Sequence, residues 1–344
     1  MSGDRPITIV GGGLAGLTLG IALRQRDVPV TLWEAGRYPR HRVCGEFISG
    51  RGQQVLARLG LGEILAGAVR AQTAVFFAGR NRSPIRALPE PALCLSRHAL
   101  DHRLAGEFHR LGGDLRENAR WPQNDFPEGV VRATGRRPQP QKHHWRWFGL
   151  KAHGKNIPLA ADLEMHVSHS GYVGVNRING GEVNVCGLFR ARPGGDRPDA
   201  AFDRLRGETG SPLRERLAGV QMDEASFCSV AGLSLAPHRA VDRKECCVGD
   251  TLTMIPPVTG NGMSMAFESA ELAVAPLLAY SRENASWPDA QRSIARACDA
   301  AFSGRLRWAR RLQRLMLSPL LQSPIGSLVL RSEWLWQFMF TRTR

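Results

Sequence analysis

Long apolar runs are missing from this sequence. Its longest fully apolar stretches fall far short of the roughly 20 residues that cross a bilayer, which excludes a helical membrane span. A basic, apolar leader is missing too, and the first strand pattern already starts at Ile7, so cytoplasmic residence is the expectation. Cysteine is sparse. The seven are odd in number, none stands at metal-ligand spacing, and the adjacent Cys246 and Cys247 suit neither a simple disulfide nor a tetrahedral site. We expect no metal and a reducing compartment. Acidic residues are in deficit, 31 against 46 Lys and Arg, leaving a net charge of +15 carried largely by arginine. No finger, basic zipper or other nucleic-acid motif accompanies these arginines, dense at Arg132 to Arg146 and Arg305 to Arg314, so no specific nucleic-acid partner is expected. A solvated basic face is the ordinary reading. A peripheral contact with an anionic membrane surface, or an acidic substrate, is the functional one.

What is present is an ordinary globular balance, 43% hydrophobic and 22% charged, in 344 residues, enough for one large or two modest domains. The chain is organised around Ile7 to Arg37. Ile7, Ile9 and Val10 make a short buried strand, and Gly11, Gly13 and Gly16 follow at G-x-G-x-x-G spacing. Leu14, Leu17, Leu19, Ile21 and Leu23 give the next helix an apolar face. Val28, Val30 and Leu32 make a second strand closed by Glu34 and Ala35. Gly11 permits a tight turn, Gly13 lets backbone approach a pyrophosphate, and Gly16 lets helix pack on strand. The helix start at Leu14 and Ala15 offers free N–H groups and a positive dipole end to phosphates. Glu34 is placed to accept from an adenosine ribose. The alternative is a glycine-rich turn in an ordinary α/β domain.

The loop Arg37 to Glu46 leaves the carboxyl end of that second strand, where ligands bind in open α/β sheets. Helical periodicity follows over Arg51 to Ala66 and again over Ser96 to Leu111, with Ser96 as N-cap, Arg97 at the start and Asp101 one turn on. Val75 to Phe77 and Ala92 to Leu95 read as strands of a second layer, and Val130-Val131 as a strand ending in the turn at Thr134-Gly135. Trp145 to Lys151 and Glu164 to Leu188 alternate as strands, with Asn179-Gly180-Gly181 a hairpin turn. Asp199 to Val220 reads as helical. Cys247-Val248 end a strand before Gly249-Asp250, and a helix starts near Met263 after the stiff Pro256-Pro257 loop. Ala290 to Leu317 is a long arginine-rich amphipathic helix. The apolar density of Leu320 to Phe340 is expected to pack on the core, to close over a greasy substrate or to lie on a membrane.

Gly249-Asp250, Pro257 and Gly260-Asn261-Gly262-Met263, taken with Gly11, Gly13, Gly16, Glu34, Arg97 and Asp101, resemble the superfamily of FAD-dependent aromatic hydroxylases and geranylgeranyl reductases, over Ile7 to about Leu278. The resemblance implies an α/β fold: a Rossmann-like FAD-binding domain of the GR2 type (1–70, 92–138 and 240–285), an inserted antiparallel β-sheet substrate domain (71–91 and 139–239) and C-terminal helices (286–344). It implies that Asp250 accepts from ribitol hydroxyls and that Gly260 to Met263 meet the flavin pyrimidine edge. It places Arg42 beside the flavin, Arg97 toward the phosphates and Thr134-Gly135 near the adenosine half. Cys44-Gly45-Glu46 looks like the C-G-E loop of the reductase branch, and Trp147 to His153 with Gly171 to Val175 like its substrate sheet, so Lys151, His153 and Tyr172 are placed to face substrate. Cys44, Glu46, His153, Tyr172 and Pro257 are the candidate catalytic residues, and Cys44 and Gly45 also belong to the flavin pocket.

Three departures qualify the resemblance. WPQNDFP shortens the segment between Leu115 and Val130, the lysine and W-x-W-x-I-P signature of halogenases is missing, and GYVGVNRI replaces the reductases' Y-x-W-x-F-P. There is no second dinucleotide glycine motif, so NADPH or NADH is expected to bind transiently. The leading expectation is hydroxylation of an aromatic or polyketide-like molecule by oxygen activated at the flavin. Reduction of a C=C bond in an apolar or isoprenoid substrate is the alternative. A non-catalytic flavin-binding redox switch at a membrane surface is the alternative of another class.

Overall fold

The computed structural model describes residues 4–136, 146–191, 201–236 and 238–343. Trp145, the expected domain junction at 138/139 and the start of the helical stretch at Asp199 lie outside them. The chain opens with β1 (Ile7–Val10), α1 (Leu14–Arg24) and β2 (Val30–Trp33), then β3 (Phe47–Ile48), α2 (Arg51–Arg58), β4 (Val69–Ala78), β5 (Asn81–Arg82), β6 (Arg86–Cys94) and α3 (Arg97–Arg110). It continues with β7 (Asp114–Arg116), β8 (Val130–Arg132), β9 (Arg146–Lys155), β10 (Leu163–Val167), β11 (Gly171–Arg177) and β12 (Glu182–Ala191). The rest comprises α4 (Ala201–Leu205), α5 (Pro212–Leu217), β13 (Met222–Leu233), α6 (Gly262–Ser281), α7 (Trp287–Met316), α8 (Pro324–Arg331) and α9 (Glu333–Arg342).

The first layer is a parallel sheet in the order β7-β2-β1-β8. Both faces of such a sheet are covered, so its strands are near-continuously apolar. Ile7, Ile9 and Leu32 are fully buried. Helix α1 is buried almost all round because α3 and α6 pack on it as well as the sheet. Ser96 caps α3 by accepting from the Ala99 N–H at 3.2 Å.

The second layer is a larger sheet, ordered β13-β9-β12-β11-β10-β4-β6-β3, with β5 paired to β4. It is antiparallel except that β4 and β10 run parallel, a correction to the all-antiparallel expectation. No short turn joins those two strands, so nothing local forces them antiparallel. Gly180 and Gly181, at φ +75° and +73°, turn β11 into β12. One face packs Leu150, Val173, Val175 and Val185 against α4 and α5. The other carries Phe76, Met165, Tyr172 and Leu188 toward Val258 and the C-terminal helices.

Two further expectations are corrected. Cys247-Val248 do not form a strand; a single bridge joins Cys247 to Arg132, because Gly249 at φ +65° turns the chain straight into a 3-10 turn. The helical stretch to Val220 is two short helices, broken where Gly207 and Gly210 take positive φ and restarted at Pro212. Among the described residues no helix is long and apolar enough to cross a membrane.

Candidate functional site

The glycines divide by what surrounds them. A Cβ on Gly11, at φ +112°, would stand 2.3 Å from the Ala133 carbonyl oxygen, and one on Gly16 would stand 2.0 Å from that of Gly11. These two let strand, turn and helix close on one another. A Cβ on Gly13, Gly135 or Gly262 would meet nothing within 4 Å, so these face open space. Serine hydroxyls cap α3, α5, α7 and α9; α2 and α8 have no side-chain cap, and neither do α1 and α6, which begin at Leu14 and Gly262. Their first N–H groups and positive dipole ends are left for an anion.

Asp250 sits between them. Gly249 packs against Ala15 at the start of α1, its N–H bonds Ser269 Oγ at 2.9 Å on α6, and Thr251 Oγ1 donates to the Gly135 carbonyl at 3.0 Å. Burial raises the Asp250 pKa against the pull of Arg136 and Arg97, and among the described residues nothing donates a hydrogen bond to its carboxylate. A half-buried acceptor without a partner beside two uncapped helix starts fits a polyhydroxyl, pyrophosphate-bearing ligand such as FAD. Thr134-Gly135 lie on the same rim. Glu34, in contrast, is already engaged. Its carboxylate accepts from Gly12 N at 2.8 Å and Gly36 N at 2.7 Å and pairs with Arg40 at 2.5 Å, and these bonds outweigh burial to hold its pKa at about 2. Tyr38 donates to the Gly12 carbonyl beside it. A ribose at Glu34 would share the carboxylate with Arg40.

At the other end, Asn261 ties three elements together. Its Oδ1 accepts from Ser49 Oγ at 3.4 Å and its Nδ2 donates to the Thr343 carbonyl after α9. Ser264 donates to the Ser49 carbonyl at 2.6 Å, Met263 is buried in the core, and Gly260 leaves room for the Phe47 ring. Pro257 opens a 3-10 turn to Thr259 that presents Val258 to the large sheet.

The C-G-E loop is clamped to that sheet by buried charges. Glu46 is fully buried, with Oε1 3.2 Å from Lys151 Nζ and 2.8 Å from the Arg97 N–H, and Oε2 2.7 Å from His153 Nε2. Burial alone would raise the Glu46 pKa; the His153 hydrogen bond and the Lys151 charge outweigh it and hold it low. His153 Nδ1 lies 3.2 Å from Glu182, and Lys151 Nζ lies 3.1 Å from His41 Nδ1. His41 stacks on His98, and burial with the Lys151 charge lowers its pKa to about 4. Asn184 donates to the Cys44 carbonyl at 3.1 Å. Burial raises the Cys44 thiol, which makes it a poor nucleophile.

Several expected residues have protein partners of their own. Arg97 forks onto Asp101 at 2.7 and 2.8 Å and lies against Cys44, so it braces the C-G-E loop. Arg42 lies near Arg40 and Arg97, whose charges add to burial in lowering its pKa. His153 is held between two carboxylates, and the Tyr172 hydroxyl is buried without a partner; neither lines the cavity described next. Sequence reasoning placed Lys151 toward substrate rather than on Glu46, and did not select His41 or Glu182 at all. Lys151 and His153 alternate on one face of β9, which was readable; their partners Glu46 and His41, over 100 residues away, were not.

The cavity is half open, and its empty space, open solvent included, is about 1110 Å³. Phe76, Met165 and Gly174 of the sheet floor it, Gly45, Phe47, Val258 and Thr259 form the side toward the uncapped helices, and Leu312, Met316, Leu330, Trp336 and Met339 roof it. Among the described residues its ionisable lining groups are Arg86 and Glu164. Arg86 pairs with Glu333, and Glu164 is taken by Ala160 N, His166 and Arg216.

Residues 9–57 match the family model of an NAD(P)-binding Rossmann-like domain. No curated protein matches the sequence. Among solved structures the chain is similar to the myxobacterial chondrochloren halogenase CndH, described as a variant of FAD-dependent halogenases (17% identity over 100% of this chain and 91% of that one, TM-score 0.72). It is similar to a geranylgeranyl bacteriochlorophyll reductase-like protein of Thermoplasma acidophilum (15%, 99% and 96%, TM-score 0.71). It is also similar to PqsL of P. aeruginosa in complex with 2-aminobenzoylacetate (14%, 94% and 99%, TM-score 0.70). The fold is theirs. At these identities the likeness carries the architecture, and the chemistry rests on this chain's own residues.

Proposed function

We propose that the chain is an FAD-dependent oxidoreductase that hydroxylates a largely apolar, aromatic or polyketide-like molecule, with NADPH or NADH as a transient reductant. The observation that carries this reading is the cavity. It is apolar, it runs to Gly45, Phe47, Val258 and Thr259, and the two ionisable residues that line it among the described residues, Arg86 and Glu164, are both ion-paired. The cofactor's place would run from the start of α1 past Asp250 to the Cys44–Glu46 loop and the start of α6. FAD bound there supplies electron transfer and oxygen activation. The residues do the rest. The N–H groups at Leu14 and Ala15 hold phosphate, Asp250 holds the ribitol hydroxyls, and the start of α6 favours negative charge on the ring system. Glu46, Lys151 and His153 fix Gly45 at the cavity wall. Phe76, Met165, Val258 and Trp336 exclude water and orient the substrate.

Reduction of an isoprenoid C=C bond is the second reading, favoured by the length of apolar wall contributed by α7 to α9. It needs a proton delivered to carbon, and the one carboxyl among the described lining residues, Glu164, is engaged by Ala160 N, His166 and Arg216. The test is oxygen consumption by the FAD-loaded protein with NADPH or NADH across a panel of apolar aromatic compounds. Substrate-dependent uptake with oxygen-18 in the product supports hydroxylation. Product formed without oxygen would establish the reductase reading instead.

A further inference from the structure

Nearly half of the chain's net charge is concentrated in its last elements. Residues 301–344 contain eight arginines and one acid, Glu333, a balance of +7 out of +15. Glu333 is paired with Arg86 and so is not free to offset the field around it. The large hydrophobic side chains that the fold leaves outside gather in the same place. Of six such residues among those described, four are here: Leu320 at 59% exposure, Ile325 at 61%, and Leu328 and Trp334 at 72%. A fifth, Ile85, is one residue from the Arg86 that grips Glu333.

Apolar and basic groups interleave on this surface. Trp334 stacks on Phe338 at 5.3 Å, Phe338 meets Trp308 edge-on at 5.0 Å, and Arg311 and Arg342 both approach the Trp308 ring. Arg307, Arg311 and Arg314, all exposed, fall on one stripe of α7, and Arg331 and Arg342 are exposed at the ends of α8 and α9. The inner faces of α8 and α9 are committed elsewhere: Val329, Leu330, Leu335 and Met339 roof the cavity. The outer apolar residues therefore do not serve the core.

We propose that this outer face, residues 307–342, docks on an anionic lipid bilayer. Leucine, isoleucine and tryptophan seat at the acyl boundary while arginines meet the headgroup phosphates. Charge selects this occupant. A second copy docking by the same patch would bring another +5 (six arginines and Glu333 over residues 307–342) against the first, and a neutral partner would leave the arginines without counter-charge. Docking places the roof of the cavity at the lipid boundary, where apolar molecules collect. The binding itself does not depend on the proposed reaction.

The experiment is flotation of the full-length protein with vesicles of pure phosphatidylcholine and of phosphatidylcholine mixed with phosphatidylglycerol. The expected result is binding to the mixed vesicles at least about tenfold stronger than to the neutral ones, weakening as salt rises. Leu328→Asp with Trp334→Asp abolishes it, while far-UV circular dichroism and melting stay unchanged because both side chains lie mostly outside. A single Trp334→Phe keeps binding but loses the quenching of tryptophan emission by brominated acyl chains. Absence of vesicle binding overturns the proposal. So does binding that the double substitution leaves intact, which marks mere basic adsorption. A dimer by light scattering that the same substitution dissolves also overturns it, in favour of a second copy.

Discussion

Glu46→Gln removes the one carboxylate that pairs with Lys151 among the described residues. Lys151 is fully buried and keeps only the His41 ring at 3.1 Å, while His153 loses the carboxylate 2.7 Å away. Breaking a buried pair from one side costs about 3–5 kcal/mol, because a charge is left in low dielectric without compensation. An unfolding entropy of about 2.1 cal/mol/K per residue over 344 residues is about 0.7 kcal/mol/K, so the melting temperature should fall by about 4–7 °C. Lys151→Met should cost less, about 1–3 kcal/mol, since Glu46 keeps His153 and the Arg97 N–H. The double variant should melt above Glu46→Gln alone, with a coupling of about 2 kcal/mol. Melts followed by far-UV circular dichroism, with and without FAD, measure all four proteins. The acid side adds a sign. The Glu46 pKa is lowered in the fold, so its contribution is present above the ordinary 4.5 and is lost as pH falls through the folded value. The gap between wild type and Glu46→Gln should close in acid. Additive single and double effects would refute the clamp.

Four further outcomes follow from particular contacts. Gly13→Ala should fold normally and bind FAD at least about tenfold more weakly, read by flavin fluorescence titration, because its methyl meets only open space meant for phosphate. Gly16→Ala should lose several kcal/mol of stability, read by denaturant midpoint, because its methyl falls 2.0 Å from the Gly11 carbonyl oxygen. Asp250→Ala should purify without FAD yet melt no lower as apoprotein, since it deletes a half-buried carboxylate to which no described residue donates a hydrogen bond. Glu34→Gln should cost up to about 3 kcal/mol at neutral pH, and this difference should vanish as pH falls from 4.5 through about 2, the window over which the unfolded carboxyl takes up its proton while the folded one, held at about 2, resists.

What the sequence disclosed was what local geometry demands. The strand-turn-helix at Ile7 to Gly16, the Ser96 cap and the Gly180-Gly181 turn each rest on a φ angle or a close approach that few residue types allow, so they can be read without the fold. The Gly249-Asp250 and Gly260 to Gly262 elements were legible through the family resemblance, and Gly249 and Gly260 do take positive φ. What stayed hidden depends on chain segments far apart. Arg40 and Tyr38 fold back over Glu34 and Gly12, and no spacing rule announces it. Glu46 meets Lys151 and His153 only because β9 crosses behind the C-G-E loop. Leu320 to Phe340 was ambiguous because it is apolar on both sides, one side roofing the cavity and the other facing out.

The central claim is that the starts of α1 and α6 and an Asp250 carboxylate engaged by no described residue hold FAD. The most direct measurement is the visible spectrum of the purified full-length protein, before and after incubation with FAD and gel filtration. The account predicts a yellow protein with about one oxidised flavin per chain, bleached by NADPH or NADH, and a colourless Asp250→Ala variant that keeps its fold. A folded wild-type protein that stays colourless after incubation with FAD would contradict it.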